Sequence, residues 1–319
     1  MADWHIALLI PFFILNLAIL VKSSDLFTDA AEKIGIKLKI PSFMVGVTLL
    51  ALGTSLPELI TSIISVLKDS SEIVIGNVTG SNISNIFLIL GCCAIYSKKI
   101  KINYNLEKVD LPLLISSAFL FTIMVWDGKF TKFEAILSLI GFVIYMFQSS
   151  QANKIHLLVH INIQQDMKES STIPLWKPLF KLVLSGVFLY LGANYTVQSI
   201  IYISAKLSIG KEIISASAVA LGTSLPELMV SITAAKKGKP EMAVGNILGS
   251  NIFNTFAVMG IPGLMGSLII PHGIVIETVP IMVIATLIFY FLTLKKELTQ
   301  FEGFTLLLFY ILFIYSLFG

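Results

Sequence analysis

Residues 51–59 read ALGTSLPEL, and residues 220–228 read the same nine letters. At the same offset of 169 residues, GNVTGSNISN at 76–85 aligns with GNILGSNIFN at 245–254. The aligned ranges 51–91 and 220–260 share 22 identities in 41 positions without a gap. Chance similarity between apolar helices can match Leu or Ile, but not a shared Gly-Thr-Ser-Leu-Pro-Glu. The chain therefore contains an internal repeat.

The composition around this repeat is that of a membrane protein. Of 319 residues, 56% are hydrophobic and 13% are charged, and the mean hydropathy is +0.89. A soluble domain carries about 25% charged residues. The low charge excludes a soluble enzyme, a nucleic-acid-binding protein and a disordered scaffold, and it predicts the lipid bilayer as the surroundings of this chain.

Apolar runs long enough to cross a bilayer recur along the whole chain. Gly, Pro, Ser and Asn interrupt the second, third, seventh and eighth runs, which predicts broken helices there. The ten predicted spans are 5–30, 42–67, 72–97, 110–126, 131–150, 177–206, 213–236, 241–268, 274–294 and 301–318.

The lysines predict the orientation of these spans. With the N-terminus outside, 16 lysines fall in inner loops and five in outer loops, as the positive-inside rule requires. The prediction is a multi-pass protein of the plasma membrane with both termini outside. Lys22 falls inside the first span, where we expect it to reach the interface or to pair with Asp25.

The organisation follows from the repeat and the spans. Residues 1–150 form a first five-helix repeat, 151–175 a cytoplasmic linker, and 176–319 a second repeat. Because five is an odd number, the second copy enters the membrane with opposite polarity, as in many secondary transporters. We predict an all-α membrane protein of ten transmembrane helices in two inverted repeats, whose broken helices 2, 3, 7 and 8 form an ion site at the midplane.

The first motif places a carboxylate in the middle of a span, where it is costly and usually functional. Pro57 and Pro226 disrupt the preceding helical turn, so nearby carbonyls lose their helical partners and can bind a cation. The carbonyl, hydroxyl and carboxylate oxygens of this motif come from Ala51, Thr54, Ser55, Glu58, Ala220, Thr223, Ser224 and Glu227.

The second motif supplies further oxygens, because residues four apart share a helix face. The two pairs with this spacing are Ser81 with Asn85, and Ser250 with Asn254. We expect Asn82 and Asn251 to form interhelical hydrogen bonds rather than to bind an ion. Glycines spaced for close helix contact accompany both pairs, namely Gly76, Gly80, Gly245 and Gly249.

Oxygen ligands alone select hard cations such as Na⁺ and Ca²⁺ over zinc or copper. Two glutamates carry a charge of −2, which one Ca²⁺ or two Na⁺ would balance. Alternate occupancy of one cavity by either ion is the physical basis of antiport. The sequence thus predicts Ca²⁺ and Na⁺ as transported ions, with no cofactor.

These motifs closely resemble the two alpha-repeats of the prokaryotic sodium/calcium exchanger family, within the cation/calcium exchanger superfamily. The resemblance implies that Glu58 and Glu227 are the central Ca²⁺ ligands. It also implies long first and sixth helices that slide to alternate access, and we expect the protein to function as a monomer. Some relatives, including the potassium-dependent branch, carry Asp where this chain has Asn254, so we expect no K⁺ requirement.

Two other transport functions stay open at this point. Proton-driven relatives share the glutamate motifs, so an H⁺-coupled Ca²⁺ exchanger is the main alternative, and a cation channel is a weaker one. An enzyme fits poorly, because no His-Glu-x-x-His motif occurs and no histidine lies in the polar spans. We expect the other boundary acids to be interfacial, namely Asp110, Asp127, Glu134 and Glu277.

Overall fold

The computed structural model describes residues 6–159, 174–206 and 224–317. Within these residues, seven helices are long and apolar enough to cross a membrane. A mostly helical membrane protein is thereby confirmed. The ten-span count remains a prediction, since part of the seventh predicted span and most of the linker lie outside the described residues. The seven helices are Leu8–Leu38, Ser42–Leu67, Glu72–Ser97, Lys132–Ser149, Trp176–Ile203, Pro240–Met265 and Ile274–Leu294.

The helical elements in chain order show where these spans change character. Those of the first half are Ile6–Leu38, Ser42–Val45, Ala51–Thr54, Leu56–Leu67, Glu72–Ser84, Gly91–Ser97, Asp110–Val125 and Lys132–Val159, with π-helical turns at Gly46–Leu50 and Asn85–Leu90. Those of the second half are Trp176–Lys206, Leu225–Lys236, Pro240–Phe253, Met259–Met265, Val279–Leu294 and Gln300–Ser316, with π-helical turns at Asn254–Val258 and Ile274–Thr278.

The predicted break in the second span lies at Ser55, whose backbone leaves the helical region with φ −89° and ψ 2°. Ser224 has nearly the same conformation, with φ −86° and ψ 0°, at the start of the corresponding helix of the second repeat. In each copy a proline occupies the first turn of the helix that follows, where its missing N–H costs no hydrogen bond. The same local sequence therefore gives the same local structure twice.

The predicted breaks in the third and eighth spans are wrong. Both helices continue through a π-helical turn that begins at Asn85 in one repeat and at Asn254 in the other. A π turn adds a residue to the turn without ending the helix, and such turns are frequent at functional sites. The physical reason is that neither polar segment contains a proline to remove a backbone donor.

Among the described residues, four short strands, absent from the all-α prediction, connect helices across the repeats. β1 (Lys99–Lys101) pairs antiparallel with β4 (Glu297–Thr299), and β2 (Lys129–Phe130) pairs antiparallel with β3 (Leu268–Ile269). An offset of 169 residues carries the start of β1 onto β3 and carries β2 into β4. β1 of the first repeat therefore corresponds to β3 of the second, and β2 corresponds to β4. Each of the two sheets pairs one strand from each repeat.

The motif-bearing helices occupy the interior, and the first and sixth predicted spans lie outside them. In the Pro240–Met265 helix 89% of the most apolar window is buried, compared with 28% in Leu8–Leu38 and in Trp176–Ile203. Leu8–Leu38 and Trp176–Ile203 pack along each other, and Gly192 lies directly against the backbone of Leu20. This arrangement places two long outer helices beside a polar core.

Ion pairs join the first helix to the loop that precedes Pro240. Lys237 Nζ lies 2.6 Å from Asp29 Oδ1 and 3.9 Å from Asp25 Oδ1, and Lys239 pairs with Glu32. Asp25 thus pairs with Lys237, whereas Lys22 is exposed. Partial burial lowers the pKa of Lys239, and the nearby Asp29 carboxylate opposes this shift. We call this cluster of ion pairs the latch.

Candidate ion-binding site

The two motif glutamates lie in the protein interior, in the first turns of their helices. Glu58 is 1% exposed and Glu227 is 2% exposed. A helix N-terminus carries a partial positive charge, which stabilises a carboxylate at this position. Ser55 Oγ donates a hydrogen bond of 3.1 Å to Glu227 Oε1, so the break in one repeat contacts the acid of the other. The structure therefore brings the two motifs together.

Several buried oxygens here have no hydrogen-bond partner among the described residues. Burial without a partner costs about 1–3 kcal/mol for each polar group. These groups come from both repeats. The Leu56–Leu67 helix packs against the π-helical turn that begins at Asn254, and the Leu225–Lys236 helix packs against the turn that begins at Asn85. This packing indicates a site for a ligand that supplies positive charge. The atoms are Glu58 Oε1 and Oε2, Glu227 Oε2, Asn85 Oδ1, Asn254 Oδ1, Ser224 Oγ and Ser250 Oγ.

Other predicted site residues are buried but already hydrogen-bonded. Thr54 Oγ1 donates to the Leu50 carbonyl at 3.0 Å. The Ala51 carbonyl accepts the N–H of Ser55 at 3.0 Å, so the prediction that it loses its helical partner is wrong. The kink falls four residues later, at Ser55 itself. Ser81 is buried, whereas Ala220 and Thr223 lie outside the described residues.

Sequence reasoning missed two serine–asparagine pairs beside the glutamates. Asn77 Nδ2 donates to Ser62 Oγ and to the Glu58 carbonyl, both at 3.1 Å. Asn246 Nδ2 donates to Ser231 Oγ at 2.9 Å in the second repeat. A signal was available, because both serines lie one helical turn after the glutamates and both pairs are identical at the 169-residue offset.

The predicted interhelical role of Asn82 and Asn251 is confirmed. Asn82 Nδ2 lies 3.4 Å from the Asn251 carbonyl, and Asn251 Nδ2 lies 3.4 Å from the Asn82 carbonyl. These reciprocal bonds join the Glu72–Ser97 helix to the Pro240–Met265 helix. The pair therefore lies where the two repeats meet.

Close helix contact at the second-repeat glycines is also confirmed. A side chain on Gly245 would overlap the Phe43 carbonyl oxygen, and one on Gly249 would overlap the Val47 carbonyl oxygen. The Pro240–Phe253 helix can thus touch the backbone of the second span. The equivalent neighbours of Gly76 and Gly80 are residues 212 and 216, which lie outside the described residues, so that contact stays a prediction.

The boundary acids differ from one another. Asp127 and Glu277 are exposed and Glu134 is half-buried, as expected near helix ends. Asp110 also lies at a helix end, but it is 1% exposed, so protein rather than solvent surrounds it. Its interfacial position stays a prediction. Its Oδ1 lies 3.5 Å from Tyr145 Oη, because the Lys132–Val159 helix covers the start of the Asp110–Val125 helix.

The donor set limits the chemistry of the site. Among the described residues, no three side chains of the types His, Cys, Asp and Glu come together as in a transition-metal centre. The candidate site instead offers two carboxylates together with amide and hydroxyl oxygens of both repeats. Hard cations prefer such ligands, and Ca²⁺ accepts six to eight of them in loose geometry.

Comparison with known proteins agrees with this chemistry. The family described as sodium/calcium exchanger protein matches residues 8–150 and 177–319, two ranges that are again offset by 169 residues. Sodium/calcium exchanger MaX1 of Methanosarcina acetivorans is 34% identical, and the alignment covers 96% of this chain and 97% of that protein. The putative antiporter CaxA of Alkalimonas amylolytica is 30% identical, with 97% and 98% covered.

A solved structure extends the similarity to three dimensions. The sodium-calcium exchanger NCX_Mj, soaked with Na⁺ and Sr²⁺, superposes with a TM-score of 0.83 at 30% sequence identity. The superposition covers 98% of this chain and 99% of that chain. The repeat, the buried oxygen site and these matches lead to one conclusion: the chain belongs to the sodium/calcium exchanger protein family.

Proposed function

We propose that this protein is a secondary antiporter that exchanges Na⁺ for Ca²⁺ by alternating access, with the Na⁺ gradient driving Ca²⁺ extrusion. One observation carries the proposal: among the described residues, seven buried oxygens contributed by both repeats have no partner, and three of the seven belong to Glu58 and Glu227. Their net charge of −2 is neutralised equally by one Ca²⁺ or by two Na⁺. If Ca²⁺ and Na⁺ occupied the site together, the site would carry a net positive charge. The two kinds of ion therefore replace each other rather than bind at the same time.

We assign the ligands by the type of oxygen. Glu58 and Glu227 bind Ca²⁺ at the centre, and Asn85 and Asn254 add amide oxygens. Hydroxyl and carbonyl oxygens complete Na⁺ sites on either side, as carboxylates are too few to serve several monovalent ions separately. The residues assigned to the flanking sites are Thr54, Ser55, Ser81, Thr223, Ser224 and Ser250, with the carbonyls of Ala51 and Ala220.

The proposed topology has ten spans in two inverted repeats of five, in the plasma membrane, with both termini outside. The strand pairs support it, since paired strands must lie on the same side of the membrane. Six of the ten spans separate β1 from β4 and four separate β2 from β3. Both numbers are even, as the pairing requires.

The outer helices supply the moving part of the proposed cycle. Leu8–Leu38 and Trp176–Ile203 lie on the surface of the motif-bearing core and pack against each other. Two helices that share a contact can slide together over a fixed site. Such sliding would open the site to one side of the membrane at a time, as in other inverted-repeat transporters.

The proposal is tested with purified protein in liposomes loaded with Na⁺ or with choline. We expect uptake of calcium-45 only in the Na⁺-loaded vesicles, and a pH gradient alone should drive none. Uptake that follows a pH gradient and ignores Na⁺ would show an H⁺-coupled exchanger instead. Equal uptake into choline-loaded vesicles would indicate a channel.

A further inference from the structure

The proposed ligands Asn85 and Asn254 are amides, and an amide has two unlike ends. Its oxygen can bind a cation, whereas its NH₂ group donates hydrogen bonds and repels one. The two ends have nearly the same size, so packing alone does not decide which end faces the site. Something else must orient these two side chains.

The orientation of Asn254 follows from a backbone carbonyl through two side chains. The Asn251 carbonyl only accepts, and the Thr255 hydroxyl donates to it at 2.8 Å. Thr255 Oγ1 must therefore accept from Asn82 Nδ2, which lies 3.0 Å away. This leaves Asn82 Oδ1 as the acceptor for Asn254 Nδ2 at 3.2 Å. Asn254 Oδ1 then remains buried, with no partner among the described residues.

The same logic holds in the other repeat. Asn251 Nδ2 faces the Asn82 carbonyl at 3.4 Å, so Asn251 Oδ1 is left to accept from Asn85 Nδ2 at 2.9 Å. Asn85 Oδ1 is also buried, and nothing in the described part of the chain pairs with it. Each amide of the central pair thus binds the NH₂ group of one proposed ligand and leaves the oxygen of that ligand free to bind an ion.

We propose that Asn82 and Asn251 are positioning residues that hold Asn254 and Asn85 with their oxygens facing the ion. The inference rests on the proposed function, since it assumes that this site binds a cation. Neither positioning residue touches the ion. Each acts across the repeat boundary, so the two halves of the protein orient each other's ligands.

The test uses a difference between asparagine and aspartate. An aspartate at position 254 has two oxygens and presents one to the ion in either orientation, so it does not need Asn82 for this purpose. We therefore compare Asn82→Leu in two backgrounds, the natural chain and Asn254→Asp, by the KM for Ca²⁺ in calcium-45 exchange. Size-exclusion chromatography confirms that each variant is folded.

Loss of a residue that orients a metal ligand lowers affinity by about 10- to 100-fold. We expect Asn82→Leu to raise the KM for Ca²⁺ by about this factor in the natural chain, and by less than about twofold in the Asn254→Asp background. An equal rise in both backgrounds would overturn the proposal, because it would mean that Asn82 only supports packing. An unchanged KM in the natural chain would overturn it as well.

The other half of the pair provides a second, independent test. Asn251→Leu should raise the KM in the natural chain and have little effect in an Asn85→Asp background. This pair decides the matter if Asn82→Leu does not fold. Failure of the proposed function is distinguishable, since the natural chain would then show no Na⁺-driven uptake of calcium-45, whereas failure of the present inference leaves that uptake and its requirement for Glu58 unchanged.

Discussion

Neutralising Glu58 should weaken Ca²⁺ binding by a factor that depends on how deeply the carboxylate is buried. Two unit charges 4 Å apart attract by about 1 kcal/mol in water and by about 4 kcal/mol at an effective dielectric constant of about 20. Each 1.4 kcal/mol is about tenfold in affinity. Because Glu58 is 1% exposed, the second figure applies. Ca²⁺ carries two charges, which doubles both figures, so we expect Glu58→Gln to weaken binding at least about 1,000-fold, rather than about 30-fold as in water.

The assay is calcium-45 binding to the purified protein across a range of Ca²⁺ concentrations. Asp110→Asn is the matched control, because Asp110 is equally buried and lies outside the proposed site. This control should leave the Kd for Ca²⁺ unchanged. A Kd for Glu58→Gln within about 30-fold of the natural protein would refute the reasoning, since a buried ligand carboxylate cannot be neutralised at so small a cost.

Three further predictions concern selectivity, the latch and packing. Because Asn254 adds no charge to the site, Na⁺–Ca²⁺ exchange should proceed at the same rate with and without K⁺, and a strict K⁺ requirement would contradict this. Lys237→Gln removes the ion pair with Asp29, worth about 1 kcal/mol for a partly exposed pair, and should speed amide hydrogen exchange in the 236–240 loop about fivefold. Lys68→Gln, at the equivalent position of the first repeat, should not change exchange in that loop. Gly245→Ala places a methyl group against the Phe43 carbonyl and should lower the Tm in detergent by an amount that corresponds to about 1–3 kcal/mol, whereas the exposed Gly273→Ala should not.

The candidate site could be predicted from the sequence because its residues occur in both repeats and because polar residues are unusual inside apolar spans. A glutamate inside an apolar span is costly, and a second one at the same offset in an identical motif is not accidental. The break in the helix near Ser55 could be predicted from Pro57, because a proline disrupts the helical turn that precedes it. Local chemistry and the repeat together thus located the proposed ligands.

Features that depend on distant contacts could not be predicted in this way. Hydropathy places Asp110 at a helix end, but only the packing of another helix buries it against Tyr145. The latch joins Asp25 to Lys237, which is 212 residues away in sequence. The π-helical turns at Asn85 and Asn254 have no proline or glycine signal at their starts. A single sequence does not show which distant residues come into contact in the folded chain.

The amide network lies between these two cases. The sequence predicts that Asn82 and Asn251 join helices, and the structure confirms it. The proposed orientation of Asn254 depends on the Thr255 hydroxyl and the Asn251 carbonyl, and that of Asn85 depends on the Asn82 carbonyl. No motif reveals these contacts. The proposed ligand set is therefore readable from the sequence, whereas the proposed means of orienting it is not.

The central claim is that one site carries either Na⁺ or Ca²⁺, so that neither ion crosses without the other. The most direct measurement is calcium-45 efflux from loaded proteoliposomes diluted into Na⁺ or into choline, with the membrane potential clamped. The account predicts efflux in Na⁺, none above background in choline, and no efflux in either medium for Glu227→Gln. Equal efflux in choline, or normal Na⁺-driven efflux from the Glu227→Gln protein, would contradict it.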